Sequence, residues 1–110
     1  PYTQCGFPFY DKFSGQSHAL SDELKTFLAA GDAPVVFTLG TSAVLDPGRF
    51  YEEAREAITA EGQRAVLLVS HLHLPKYKGW NSARIHVTDY APHSLLMPRA
   101  SVNVHQGGVG

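Results

Sequence analysis

Four short apolar runs punctuate the chain. Residues 35–39 (Val35-Val36-Phe37-Thr38-Leu39) lie between Pro34 and Gly40, and residues 65–69 (Ala65-Val66-Leu67-Leu68-Val69) follow shortly after Gly62. Neither run alternates with polar positions, so each predicts a strand buried on both faces. Residues 85–88 and 101–104 predict a third and a fourth strand. Between the runs the period changes. Ser21 is placed as the N-cap of a helix over 22–30, in which Leu24, Phe27 and Leu28 share a face, and Gly31 is placed for a left-handed end. Asp46-Pro47 predicts a second helix start, a side-chain cap followed by proline at the first helical position. Phe50, Ala54, Ala57 and Ile58 then recur at helical spacing, Glu52 and Glu53 stand near the positive end of the dipole, and Gly62 closes the helix.

The remaining segments carry weaker signals. Residues 70–83 read as polar and irregular, and 94–97 as a short apolar connector before Pro98. Residues 1–19 carry no period, yet mix Tyr2, Phe7, Phe9, Tyr10 and Phe13 with Gly6, Pro8 and Gly15. Aromatics at that density predict that part of this segment packs. No internal repeat and no low-complexity tract interrupts the chain.

Strands that alternate with helices predict an α/β fold, a Rossmann-like parallel sheet with helices on its faces. Right-handed crossovers lay the first three strands side by side in one direction. With the fourth returning beside the first, the order becomes 3-2-1-4. The crevice between strands one and four is then the topological switch point, where such sheets bind ligands at their carboxyl ends. Gly40-Thr41-Ser42 leaves strand one there, and His105-Gln106-Gly107-Gly108-Val109-Gly110 leaves strand four. Small, hydrogen-bonding residues thus fall where a ligand is expected.

Composition narrows the classes. With 110 residues, 12.0 kDa and 44% hydrophobic residues, the chain is one domain's worth of ordinary globular sequence. Nine Lys and Arg against ten Asp and Glu leave a formal charge of -1, which argues against a broad electrostatic grip on nucleic acid. Charged residues make up 17%, below the usual value of about 25%, so some surface is expected to be covered by a partner. Cys5, the one cysteine, cannot close an internal disulfide, which fits a reducing, cytoplasmic compartment. No apolar run approaches the ~20 residues of a membrane span. Opening on Pro1, the chain reads as a piece of something longer.

Several groups are chemically able, and each has a plain structural alternative. Glycines after a strand let backbone N–H groups approach an anion, but they also make ordinary tight turns. His105 can donate to a phosphate oxygen or simply cap a strand end. Thr41 can offer a hydroxyl to the same anion or belong to a turn. Tyr90-Ala91-Pro92-His93 can form a platform for a nucleobase or a proline-stiffened turn around a buried tyrosine. His71 and His73 lack accompanying ligands at zinc spacing, and Cys5 lacks an activating environment. No nucleophile elbow, Walker loop or CxxC pair is present, so nucleophilic or metal catalysis has no support.

Taken in order, Gly6-Phe7-Pro8-Phe9-Tyr10-Asp11, Pro34-Val35-Val36-Phe37-Thr38-Leu39-Gly40-Thr41, Tyr90-Ala91-Pro92-His93, Leu96-Met97-Pro98-Arg99-Ala100 and His105-Gln106-Gly107-Gly108-Val109-Gly110 form a pattern. It resembles the donor-binding, C-terminal half of UDP-glycosyltransferases of the GT-B fold, nearest to bacterial and sterol-type members. The resemblance implies a sugar moved from a UDP- or dTDP-sugar to an acceptor hydroxyl with inversion, without cofactor or metal. It implies that residues 1–20 form an interdomain segment and 21–110 a nucleotide-sugar-binding domain truncated at its C-terminal end. The donor-binding residues it implies are Gly40, Thr41, Tyr90, Ala91, His93, His105, Gly107, Gly108, Val109 and Gly110. Tyr90 and Ala91 would lie against the base, and Thr41, His105 and the glycines against the diphosphate. His93 stands where plant members carry glutamine. The catalytic base belongs to an N-terminal acceptor domain, so no catalytic residue is expected in this chain, which alone is expected to be inactive.

A second reading is a non-catalytic nucleotide-sugar-binding or interaction module that works with a separate acceptor-domain partner. If strand four ends the sheet, Val102 and Val104 lie on an unpaired apolar edge, which predicts an edge-strand dimer.

Overall fold

The computed structural model describes residues 1–8 and 18–108. Phe9, Tyr10, Phe13 and Gly15 of the leading segment, and Val109 and Gly110 of the closing motif, lie outside the described residues. The elements run α1 (Asp22–Ala29), β1 (Val35–Thr38), α2 (Gly40–Ala43), α3 (Phe50–Glu61), β2 (Ala65–Leu68), α4 (Leu74–Tyr77), β3 (Ile85–Thr88), α5 (His93–Leu96) and β4 (Val102–Val104). Single 3-10 turns, Lys78–Trp80 and Met97–Arg99, extend α4 and α5.

All strand pairs are parallel and the order is β3-β2-β1-β4, as the crossover argument requires. Register aligns Val36 with Val66 and Asn103, and Val66 with His86. Successive side chains therefore feed opposite faces. Phe37, Ala65, Leu67, Ile85 and Val87 pack with Tyr51, Ala54 and Ile58 of α3 and Tyr77 of α4. Val36, Val66 and Leu68 pack instead with Leu24, Phe27 and Leu28 of α1 and Leu96 of α5. Covering both faces explains why β1 and β2 are apolar without alternation.

Local chemistry accounts for most boundaries. The Ser21 hydroxyl accepts the Leu24 N–H at 3.2 Å, capping α1. Gly62 takes the left-handed conformation, φ +63°, that ends α3. Gly31 does not play that part at the end of α1, where Ala30 is right-handed at φ -82°. Its lack of a side chain serves a close approach instead: a Cβ there would lie 3.1 Å from the Arg64 side chain. Asp46-Pro47 does not start α3. Gly48 turns left-handed at φ +53°, breaking the run, and the helix begins at Phe50 with no side-chain cap. On α3 the buried face is Tyr51, Ala54 and Ile58, while Ala57 is exposed.

Residues 70–83 are more ordered than their polarity suggests, because α4 swings Tyr77 fully into the core beside Tyr51, ring centroids 5.4 Å apart. The described part of the leading segment does not pack. Tyr2 and Phe7 are exposed, the sheet faces being already covered by the helices. Among the described residues β4 pairs only with β1, and Val102 is 53% exposed on that edge. No helix among the described residues is long and apolar enough to cross a membrane.

Candidate functional site

Each of the four strand exits is braced in the same way, by a side chain that accepts the backbone N–H two residues on. Thr38 Oγ1 accepts from Gly40 at 3.4 Å, Ser70 Oγ from Leu72 at 3.3 Å, Thr88 Oγ1 from Tyr90 at 3.4 Å, and His105 Nδ1 from Gly107 at 3.0 Å. Such local bonds bend the chain sharply out of a strand and hold the turn. The Thr88 hydroxyl also donates to the Tyr90 carbonyl at 3.1 Å, fixing that turn from both sides. Gly40 and Gly107 complete their turns at φ +67° and +79°, a region that favours glycine.

Two adjoining crevices open between these braced turns at the carboxyl ends of the strands. One, of about 400 Å³, draws its walls from the exits of β1, β2 and β3: Thr41, Ser70, His71, Asp89, Tyr90 and Ala91 among them. The other, of about 630 Å³, is walled by the exits of β1 and β4, with Ser42, Asn103, His105, Gln106 and Gly108. Thr38, Gly40, Thr41 and His93 line both, so the two are one continuous opening divided by the β1 loop. The wider crevice lies at the switch point between β1 and β4.

Most of the sequence-derived residues meet here. Gly40, Thr41 and His93 face both crevices; Tyr90 and Ala91 line the smaller one, His105 and Gly108 the wider. Ala91 is buried, whereas Thr41, His93 and His105 are exposed. Gly107 stands apart, because its N–H is committed to His105 Nδ1. That bond in turn fixes the imidazole: with Nδ1 accepting, the neutral ring carries its hydrogen on Nε2. The arrangement offers hydroxyls, an imidazole donor and close backbone approach to one ligand, beside a flatter apolar wall from Val44 and Leu45.

Sequence reasoning passed over Ser70, Asp89, Asn103 and Gln106 as site residues, and considered His71 only as a metal ligand. The signal was positional. Ser70, His71 and Asp89 stand within three residues of the last residue of a strand, as does Gln106, and in a parallel sheet every exit opens toward the ligand side. Among the described residues no group of three or more His, Cys, Asp or Glu is placed to hold a metal ion.

Fold and site together define a Rossmann-like α/β unit with a polar crevice at its switch point. The sequence relatives are sugar transferases. Over 80% of the chain it is 30% identical to a sterol 3-beta-glucosyltransferase of Arabidopsis thaliana, and over 97% it is 36% identical to an O-mycaminosyltylonolide 6-deoxyallosyltransferase of Streptomyces fradiae. The chain is homologous to a segment of these glycosyltransferases, the group its motifs resemble. It spans 14% of the length of the first relative and 24% of the second. No family model matches the chain, and no solved structure does.

Proposed function

We propose that the chain is the donor-binding part of a glycosyltransferase that moves a sugar from a UDP- or dTDP-sugar to an acceptor hydroxyl with inversion. The observation that carries this reading is the convergence of the β1, β3 and β4 exits on one divided opening, with relatives that are sugar transferases on either side of a wide evolutionary span. The nucleobase would lie in the smaller crevice against Tyr90 and Ala91. The diphosphate would lie in the wider one, against Thr41, His105 and Gly108.

The chemistry asks for such an opening. As the glycosidic bond breaks, the departing nucleoside diphosphate gains negative charge, and preorganised donors stabilise it as it forms. His105 Nε2–H and the Thr41 hydroxyl supply donors without rearrangement, because the turns that hold them are braced by Thr38 and by His105 itself. The acceptor hydroxyl attacks the anomeric carbon in line while a base removes its proton. That base comes from an acceptor-side domain, so the chain on its own binds and does not turn over.

Calorimetric titration of UDP, with dTDP as comparator, tests the reading. Saturable binding that falls roughly tenfold or more in His105→Ala is expected, the order of one hydrogen bond to a charged group. A folded chain that binds neither nucleotide would overturn it.

A further inference from the structure

Apart from tyrosine, the described residues bury two polar side chains, Thr38 and Ser70, each 8% exposed. Both line the opening at the carboxyl ends of the strands, Thr38 in both crevices and Ser70 in the smaller one alone. Ser70 is held in place. Its Oγ accepts from the Leu72 N–H at 3.3 Å and its carbonyl from the His73 N–H at 2.9 Å. The first bond uses one lone pair of the hydroxyl and leaves its hydrogen. Among the described residues no acceptor takes that hydrogen. A buried hydroxyl hydrogen without an acceptor is costly, and a ligand carbonyl beside it removes the cost. His71 and Asp89 share this crevice but are exposed, so water already serves them.

The strand order says which ligand atom Ser70 faces. The exit of β2 lies on the far side of β1 from β4. With the diphosphate in the wider crevice between β1 and β4, the ribose enters the smaller crevice from that side. The edge of the base remote from the ribose then points toward the β2 wall. In a pyrimidine the ring position opposite N1, where the ribose is joined, is C4. We infer that Ser70 selects the base, its hydroxyl donating to the O4 carbonyl of a uracil or thymine held in the smaller crevice. Cytosine carries an amino group at that position. The amine can donate to the remaining lone pair of Oγ but leaves the Ser70 hydrogen unmet, so cytosine is disfavoured. The inference rests on the donor-binding reading and gives it a residue that chooses the nucleotide.

Calorimetric titration of UDP, CDP and 4-thio-UDP into the wild-type chain and Ser70→Ala tests it, with circular dichroism melts to establish folding. CDP replaces O4 by an amine and loses the N3 proton. 4-Thio-UDP keeps that proton and exchanges only O4, for a weakly accepting sulfur. The wild-type chain is expected to bind UDP roughly three- to tenfold more tightly than 4-thio-UDP, the order of one neutral hydrogen bond, and CDP no better than 4-thio-UDP. Ser70→Ala is expected to weaken UDP by a similar factor and to leave 4-thio-UDP nearly unchanged, so that the preference between them disappears. Equal wild-type binding of UDP and 4-thio-UDP overturns the inference without any substitution. So does a Ser70→Ala chain that binds all three more weakly by one factor, the mark of a turn loosened by loss of the Leu72 bond. A folded Ser70→Ala chain that keeps the wild-type preference overturns it too, since main-chain groups would then make the choice. A folded wild-type chain that binds none of the three removes the donor-binding reading itself and this inference with it, whereas UDP binding without the Ser70-dependent preference removes this inference alone.

Discussion

The two ends of the sheet are held on different terms. At the amino ends of the strands one side chain ties three connections together. Arg64, just before β2, donates to the Phe27 carbonyl at the end of α1, to Asp32 in the following turn at 2.9 Å and to Ala83 before β3 at 3.4 Å. Its guanidinium also lies 4.0 Å from the centre of the Phe27 ring. At the carboxyl ends each turn is braced by a side chain at the end of its own strand or within two residues beyond it, and the turns stand apart around open crevices. Long-range stitching closes one end, while at the other, where Tyr51 reaches the last residue of β2 from below, local bracing of the turns leaves the crevices open. Stability and binding are therefore expected to respond to different substitutions.

Arg64→Met gives the largest separation of the two. Methionine keeps an apolar stem against Phe27 but removes three carbonyl partners and the cation over the ring. A loss of about 2 kcal/mol in urea unfolding is expected, on the scale of a few partly exposed hydrogen bonds to a charged group. Nucleotide affinity below the melting range should be unchanged. A large loss of affinity in a chain that is still folded would show that the two ends are coupled after all.

A pair of tyrosines sharpens the comparison at the carboxyl end, where the crevice floor has one deep anchor. The Tyr51 hydroxyl donates to the Leu68 carbonyl at the end of β2, and burial, with Tyr77 nearby, raises its pKa so that it stays a donor across the working range. The Tyr77 hydroxyl, equally buried, has no hydrogen-bond partner among the described residues. Tyr51→Phe should cost about 1 kcal/mol or somewhat more, because a buried carbonyl loses its donor. Tyr77→Phe should be neutral or slightly stabilising, since it removes an unsatisfied polar group. Equal costs in chemical denaturation would mean that ring packing, not the hydroxyl, decides both.

This contrast also explains what could be read before the fold was known. The strands and their order were legible because both faces of β1 and β2 are covered, which writes unbroken apolar runs into the sequence, and because few crossovers connect them. The site loops were legible for the same reason, since a strand exit in a parallel sheet is a ligand-facing position whatever its residues. Arg64 was not, because its three acceptors are backbone carbonyls at positions 27, 32 and 83, all remote from it in sequence. Asp46-Pro47 carries a correct local signal that Gly48 overrides. Tyr77 looked like part of an irregular stretch because its burial depends on Tyr51 and Trp80, which no periodicity in residues 70–83 encodes.

The smallest effect belongs to His86, which extends the amino-end cluster onto β3. Its ring lies 5.5 Å from Phe27, the same ring that Arg64 covers, and it is half-buried against α1. Burial lowers its pKa below the ordinary 6.5, and Glu23 only partly offsets this. The sign follows from proton counting. Below pH 6.5 the unfolded chain takes up a proton at this position while the folded chain does not until lower pH, so stability rises with pH across that window. It is fully present above the window and is lost on acidification through it. His86→Phe keeps an aromatic ring against Phe27 and removes the proton-binding site. The wild-type melting temperature should fall more between about pH 7.5 and about pH 5.5 than that of the variant. Parallel curves would place the acid sensitivity elsewhere. A steeper fall in the variant would mean that protonated His86 is stabilised by Glu23 more than burial opposes it, and the amino end would then be held by charge at two points instead of one.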